Sequence, residues 1–121
     1  MERRDLVILF TADPRKETER AAMALAIATA AQVSGTQVSI YFALDGVFAA
    51  VKGALKGLAA PEFAPLEELI VILKEEGAKL HVCHPFLAPR NLRMEDLLDG
   101  MILTSATSLV DEGTNASVMT I

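Results

Sequence analysis

The sequence predicts an α/β fold in which helices cover a parallel β-sheet. Short apolar segments typical of strands alternate with segments of helical periodicity. A parallel sheet requires this alternation, because the chain has to cross from the end of one strand to the start of the next, usually through a helix. The first segment, residues 6–10, is apolar at every position, as expected of a strand that is buried on both faces. A chain of 121 residues has the length of one domain, which we assign to residues 1–121.

The first half of the chain contains two predicted strands and two predicted helices. After the first strand, Asp13 is expected to cap a helix that begins at Pro14 and ends at about residue 34. Residues 38–42 alternate apolar and polar side chains and form the second predicted strand. Apolar residues at helical spacing then predict a short amphipathic helix over residues 47–58.

The second half continues the alternation after a proline-bounded connector. A helix is predicted over residues 66–76, where Gly77 follows its end, and residues 79–83 form the third strand. The remaining predicted elements are a loop over residues 84–93, a short helix over 94–98 capped by Asn91, a strand over 101–103, a helix over 105–112 and a strand over 117–121. The sheet is therefore expected to have five strands.

The apolar content indicates that other chains cover part of the surface. Hydrophobic residues make up 52% of the sequence, which excludes intrinsic disorder. Val71 and Ile72 lie off the apolar stripe of their helix, so we expect them at a contact with another copy or a related chain. The formal net charge of -5 disfavours nucleic-acid binding. No apolar segment reaches the ~20 residues of a membrane span, so no membrane partner is expected.

Cys83, at the end of the third predicted strand, is the proposed nucleophile. It is the only cysteine, which excludes a disulfide within the chain and fits the reducing cytoplasm. His84 and Arg90 follow in the same loop, and positive charge beside a thiol favours the nucleophilic thiolate. The alternative is that Cys83 is a small buried hydrophobic residue, as a lone cysteine most often is.

Four further residues are predicted to line a substrate cleft because they follow strands. In open α/β sheets, ligands bind beyond the carboxyl ends of the strands. Thr11 and Asp13 follow the first strand, and Asp45 and Gly46 follow the second. Each aspartate has the alternative role of a helix cap or turn residue, which we prefer for Asp13.

Metal and cofactor sites are disfavoured. His81 shares a strand face with Cys83 and is interpreted as a core histidine with satisfied hydrogen bonds rather than as a base. His81, Cys83 and His84 would diverge from one strand end, and no second group of His or Cys exists to complete a metal site. The chain also lacks the glycine-rich phosphate-binding motifs GxGxxG and GxxxxGK[ST], so no cofactor is expected.

The order of several segments resembles the DsrE/DsrF/DsrH-like family, which includes sulfur-relay proteins. The resemblance rests on the opening strand and Ala-rich helix over residues 6–34, on Phe-Ala-Leu-Asp-Gly-Val at 42–47, on Gly-Ala-Lys-Leu-His-Val-Cys at 77–83 and on the stretch 91–100. It implies a three-layer sandwich with a five-stranded parallel sheet. It also implies homo- or heteromeric assemblies of three or six chains.

The resemblance further implies that Cys83 accepts sulfane sulfur as a persulfide. The expected function is therefore a sulfur carrier or sulfurtransferase subunit that receives sulfur from a donor protein and passes it to an acceptor protein. The alternative is a non-enzymatic oligomeric module that binds a small molecule or supports assembly, with a structural Cys83. A peroxide-reducing thiol is disfavoured because the chain has no second cysteine to resolve the oxidised thiol.

Overall fold

Five parallel strands form the sheet at the centre of the protein. The structure is a computed structural model that describes residues 5–121, so the predicted start of the domain at residue 1 lies outside the described part. The strands are β1 Asp5–Phe10, β2 Gln37–Phe42, β3 Lys79–Cys83, β4 Ile102–Thr104 and β5 Ser117–Thr120. Their order is β4-β3-β2-β1-β5, and every pairing is parallel. The predicted α/β class with a five-stranded parallel sheet is confirmed.

Helices cover both faces of the sheet and give the three layers of the predicted sandwich. Helices α1, Thr18–Val33, and α2, Leu66–Glu75, pack on what we call the first face. Successive strand residues point to opposite faces, so the main core consists of alternate strand residues and these two helices. Its largest strand residues are Ile8, Phe10, Ile40, Phe42 and Leu80.

The second face is covered by a single described helix, α3, Ala106–Gly113. The strands advance in one direction from β1 to β4, and the connection to β5 then returns across the sheet. Because parallel crossovers are right-handed, this reversal places α3 on the face opposite α1 and α2. No residue of α3 is fully buried, so this helix is held less firmly than the other two.

The start of α1 differs from the prediction, which placed it at Pro14. The Asp13 carboxylate accepts the backbone N–H of Arg15 at 2.9 Å, and the Asp13 carbonyl accepts the N–H of Glu17 at 2.8 Å. These bonds form a separate turn, and the helix begins only at Thr18. The predicted cap at Asp13 is therefore wrong.

Among residues 5–121, no helix has both the length and the apolar character needed to cross a membrane.

The helix predicted over residues 47–58 is also wrong. The chain forms a 3₁₀ helix over Leu44–Ala50, after which Val51 makes an isolated antiparallel bridge with Leu97. Gly53 and Gly57 then adopt positive φ angles of 78° and 75°, which end helical structure. The apolar residues of this segment therefore lie on successive turns instead of on one helix.

Smaller differences occur between β3 and β4. The predicted helix over residues 94–98 is a 3₁₀ turn over Met94–Asp96. Asn91, the predicted cap, has a left-handed conformation with φ 56° and follows an earlier 3₁₀ turn. The crossover from β3 to β4 therefore consists of short 3₁₀ turns instead of an α-helix.

Candidate functional site

The loops that follow β1 and β2 are fixed by ion pairs. Asp13 is 6% exposed, and the Arg15 guanidinium donates two hydrogen bonds to its carboxylate, at 2.8 and 3.0 Å. The hydrogen bond from Arg15 lowers the pKa of Asp13. The guanidinium carbon also lies 4.0 Å from the centre of the Phe48 ring. Arg15 therefore ties the loop after β1 to the segment after β2, and Asp13 is already paired.

Asp45 and Arg90, both predicted as site residues, form an ion pair with each other. Arg90 Nε donates to Asp45 Oδ1 at 2.9 Å, and Arg90 Nη1 donates to the Phe86 carbonyl at 3.1 Å. The charge of Arg90 is thus directed to a carboxylate instead of the thiol. His84 is exposed at the start of a 3₁₀ turn.

Thr11 and Gly46 have structural contacts at this edge of the sheet. The backbone N–H of Thr11 donates to the Ile121 carbonyl at 3.0 Å, and its hydroxyl donates to the same oxygen at 3.3 Å. Gly46 lies against the Phe10 peptide group so closely that a Cβ atom there would overlap the carbonyl oxygen. Thr11 and Gly46 therefore connect neighbouring strand ends, and Asp45 is paired with Arg90 of the loop after β3, whereas Asp13 is paired within its own loop.

Cys83 is buried on the second face. The thiol residue is 6% exposed and belongs to a small apolar cluster with Val7, Tyr41 and Ala43. Burial raises the pKa of the Cys83 thiol, because the apolar surroundings disfavour the thiolate. The thiol is therefore neutral and shielded in this conformation.

A polar network beside Cys83, here called the Glu112 cluster, consists of Ser39, Tyr41, His81, Ser108 and Glu112. The Glu112 carboxylate accepts a short hydrogen bond from the Ser39 hydroxyl and one from the Tyr41 hydroxyl at 2.6 Å. Tyr41 Oη and Ser108 Oγ are hydrogen-bonded at 3.1 Å. Partial burial favours the neutral carboxyl, but the two hydroxyl donors outweigh it and lower the pKa of Glu112. The network fastens α3 to the sheet.

His81 belongs to this cluster but has no hydrogen bond at either ring nitrogen. Its ring stacks on Tyr41, with centres 4.2 Å apart and planes 2° from parallel. Nε2 lies 3.6 Å from Glu112 Oε1, and both nitrogens are buried without a hydrogen-bond partner. Burial lowers the pKa of His81 and outweighs the nearby Glu112 charge, so the ring is neutral. The prediction of a buried histidine is confirmed, whereas that of satisfied hydrogen bonds is wrong.

The Glu112 cluster was missed in the sequence because its members come from three separate elements. Ser39 and Tyr41 alternate with apolar residues in β2, and this pattern indicates that one face of the strand makes polar contacts. The pattern does not identify the residues that these side chains contact. An open groove of about 650 Å³ runs along α3 and β3, with His81 and Glu112 in its wall. Within residues 5–121, no group of three or more His, Cys, Asp and Glu side chains is arranged to hold a metal ion.

Comparison with known sequences gives a family match over nearly the whole chain. A family model described as the DsrE/DsrF-like family matches residues 4–120. Uncharacterized protein MK0008 of Methanopyrus kandleri is 32% identical over 107 residues, which cover 88% of this chain and 85% of that protein. Uncharacterized protein MJ0989 of Methanocaldococcus jannaschii is 34% identical over 92 residues, which cover 76% of this chain and 77% of that protein.

Solved structures share the fold at low sequence identity. The ychN protein of E. coli superposes with a TM-score of 0.75 at 19% identity, covering 99% of this chain and 100% of that chain. Protein MTH1491 of Methanobacterium thermoautotrophicum has a TM-score of 0.68 at 11% identity, with the same coverage of 99% and 100%. These likenesses support the architecture of the sheet and its helices.

Proposed function

Because the chain belongs to the DsrE/DsrF-like family, we propose that it carries sulfane sulfur as a persulfide on Cys83. The observation that carries the proposal is the position of the only thiol, which ends an interior strand of the sheet. Sites in parallel α/β sheets form at these strand ends. A donor protein supplies the sulfur and the thiol of an acceptor protein removes it, in a reducing compartment such as the cytoplasm.

Access to Cys83 is a requirement of this function. The thiol is buried, whereas of its two proposed stabilisers His84 is exposed and Arg90 is paired with Asp45. Leu109 of α3 packs against the cluster that contains Cys83, and α3 has no fully buried residue. A local opening of α3 would therefore expose the thiol at a low packing cost. We propose that docking of the donor protein produces this opening.

The test is the intact mass of the protein after exposure to inorganic polysulfide. We expect each chain to gain sulfur that is removed by a thiol reductant, and we expect Cys83→Ser to gain none. Serine is the matched control, because it preserves the size of the side chain and removes only the nucleophilic sulfur. Absence of any gain in the wild-type protein at neutral pH, with alkylation as slow as unfolding, would overturn the proposal.

The burial of Cys83 favours a second function, in which the thiol is structural. An oligomeric module of this type binds a small molecule or supports assembly, and it needs no reactive sulfur. The raised pKa of Cys83 agrees with this alternative. The two functions differ in the rate of alkylation of the folded protein, because a structural thiol reacts only as fast as the chain unfolds.

We also propose an assembly of three or six copies, or of this chain with related subunits. Val71 on α2 is 51% exposed and forms part of the wall of an apolar groove of about 490 Å³, while Ile72 is half-buried. Val71→Glu is expected to shift the protein toward the monomer without a loss of helical signal, because a charge opposes burial at a contact. Light scattering coupled to size exclusion measures the mass.

Glu75→Gln, on the exposed surface of the same helix, is the control for that prediction. It is expected to keep the wild-type mass. An assembly of unchanged mass in Val71→Glu would show that this part of α2 lies outside the contact.

A further inference from the structure

The loop that follows β3 contributes one side chain to the surroundings of the thiol. Phe86 is half-buried and packs against a buried cluster, here called the Cys83 cluster, of Val7, Tyr41, Ala43 and Cys83. The 3₁₀ turn His84–Phe86 begins directly after Cys83, which has the extended conformation of an N-cap residue, with φ -74° and ψ 109°. The side chain of an N-cap residue lies beside the second and third residues of its turn, so Phe86 is a near neighbour of Cys83.

Arg90 fixes the position of Phe86 through two interactions. Its Nη1 donates to the Phe86 carbonyl oxygen at 3.1 Å, and its guanidinium carbon lies 5.7 Å from the centre of the Phe86 ring. The hydrogen bond holds the backbone of the turn, and the cation–π contact holds the side chain. Both interactions depend on where the guanidinium group of Arg90 is held.

Asp45, in the loop after β2, holds that guanidinium group. Arg90 Nε donates to Asp45 Oδ1 at 2.9 Å, across 45 positions of sequence. The second arginine near Asp45 is Arg15, which donates its two side-chain hydrogen bonds to Asp13 instead. The Asp45 side chain is 53% exposed and that of Arg90 is 21% exposed. The ion pair therefore lies at the surface, where salt and charged groups compete with it.

We infer that Arg90 is a positioning residue that controls access to Cys83. While it is paired with Asp45, it holds Phe86 against the Cys83 cluster, and release of the pair lets Phe86 move away. This inference rests on the proposed function, because it concerns how the reactive thiol is reached. The guanidinium group acts on the side chain that covers the thiol and leaves the charge of the thiol unchanged.

The test is the rate at which iodoacetamide, a neutral reagent, alkylates Cys83 in the folded protein. We expect Asp45→Asn to raise this rate about threefold, because an exposed ion pair shifts an equilibrium by a factor of about five at most. Arg90→Met is expected to raise it about tenfold, because it also removes the hydrogen bond and the cation–π contact with Phe86. Methionine keeps the apolar stem of the side chain, and with it the packing along that stem.

The salt dependence of the same rate reports on the ion pair itself. Raising sodium chloride from about 0.05 M to 1 M shortens the screening length to about 3 Å. The wild-type rate is expected to rise toward that of Asp45→Asn, whose own rate stays constant. The control is Glu17→Gln, which breaks an exposed ion pair with Arg20 at the start of α1 and is expected to keep the wild-type rate and its rise with salt. An equal response to salt in the wild type and in Asp45→Asn would overturn the inference.

The two substitutions together separate control of access from stabilisation of the thiolate. Asp45→Asn frees the Arg90 guanidinium group, so a direct action of Arg90 on the thiolate would speed alkylation in Asp45→Asn and not in Arg90→Met. That result would overturn the inference. Control of access instead raises the rate by the same factor at every pH between about 7 and 9, because the pKa of the Cys83 thiol does not change.

Two further measurements show whether Arg90 acts locally and through Phe86. Hydrogen exchange of the α3 amides is expected to stay at the wild-type rate in Arg90→Met, because the loop moves and α3 stays in place. In a Phe86→Ala background, Arg90→Met is expected to add nothing to the alkylation rate. A full additional effect in that background, or wild-type rates in both folded single variants, Asp45→Asn and Arg90→Met, would overturn the inference. Arg90→Lys is the second variant in case methionine prevents folding, and we expect an intermediate rate.

Sulfur loading from polysulfide separates this inference from the proposed function. Loading of the wild type, with one alkylation rate shared by the wild type, Asp45→Asn and Arg90→Met, would support the carrier function and overturn the role of Arg90. Faster alkylation in both variants, with no loading of any of the three proteins, would support the role of Arg90 and overturn the carrier function. Loading that speeds up in both variants by the same factor as alkylation would support both.

Discussion

Replacing Gly46 with alanine is expected to destabilise the protein by about 3 kcal/mol. A Cβ atom at this position would overlap the Phe10 carbonyl oxygen and lie 2.8 Å from the carbonyl carbon. Backbone atoms cannot rotate away, so β1 or the segment after β2 has to move. The same Phe10 carbonyl accepts the backbone N–H of Ala43 at 3.0 Å, and that bond would be strained as well.

Thermal unfolding followed by circular dichroism measures this effect. The melting temperature is expected to fall by at least about 10 °C, or the variant is expected to be insoluble. Gly113→Ala is the matched control, because a Cβ atom there meets only Val118 Cγ2 at 3.5 Å, an ordinary contact. A Gly46→Ala variant as stable as Gly113→Ala would mean that the loop after β2 can shift freely.

Replacing Glu112 with alanine is expected to destabilise the protein by about 2–3 kcal/mol and to loosen α3. The Ser39 and Tyr41 side chains are buried, and Glu112 is the acceptor for both hydroxyls. Without the carboxylate, the buried Ser39 hydroxyl loses this acceptor and the Tyr41 hydroxyl keeps only its hydrogen bond with Ser108. Urea unfolding measures the loss of stability, and hydrogen exchange of the α3 amides measures the loosening.

The loss of stability caused by Glu112→Ala is expected to become smaller at low pH. The folded state lowers the pKa of Glu112, so the carboxylate contributes its full stability above the ordinary glutamate pKa of about 4.3. That contribution is lost as the pH falls through the lowered value, and the difference between the two proteins is expected to shrink there. Asp111→Ala, an exposed neighbour on the same helix, is the control and should change stability by less than about 0.5 kcal/mol. Equal effects of the two substitutions would contradict the anchoring role of Glu112.

The elements that could be predicted from the sequence are those whose signals are local. β1 is a nearly continuous apolar run, β3 has apolar residues at three of its five positions, and α2 has its apolar stripe and a glycine just past its end. The start of α1 was misplaced because Asp13 and Pro14 are equally suited to a turn, and Arg15 decides the choice by pairing with Asp13. The segment after β2 was misassigned because its apolar spacing hides two glycines at positive φ.

In the candidate site, the position of Cys83 could be predicted from the sequence, but the residues around it could not. Cys83 could be placed at a strand end, because strand ends follow from the apolar pattern alone. Its neighbours depend on the face on which α3 packs, which the reversal of the sheet order decides. Glu112 therefore meets Tyr41 across 71 positions of sequence, and no local pattern joins them.

The pairing of β1 with β5 determines how late the fold can be completed as the chain is synthesised. β1 leaves the ribosome first and can pair with β2 early, but its other edge stays open until residues 117–120 have emerged. The contact from Thr11 to Ile121 closes a separation of 110 positions. An open, apolar strand edge is a template for pairing with other chains, so the nascent protein passes through a stage at which misassembly competes with folding. Slow synthesis of the segment between β3 and β5 would lengthen that exposure, whereas early capture of the edge by a chaperone would shorten it.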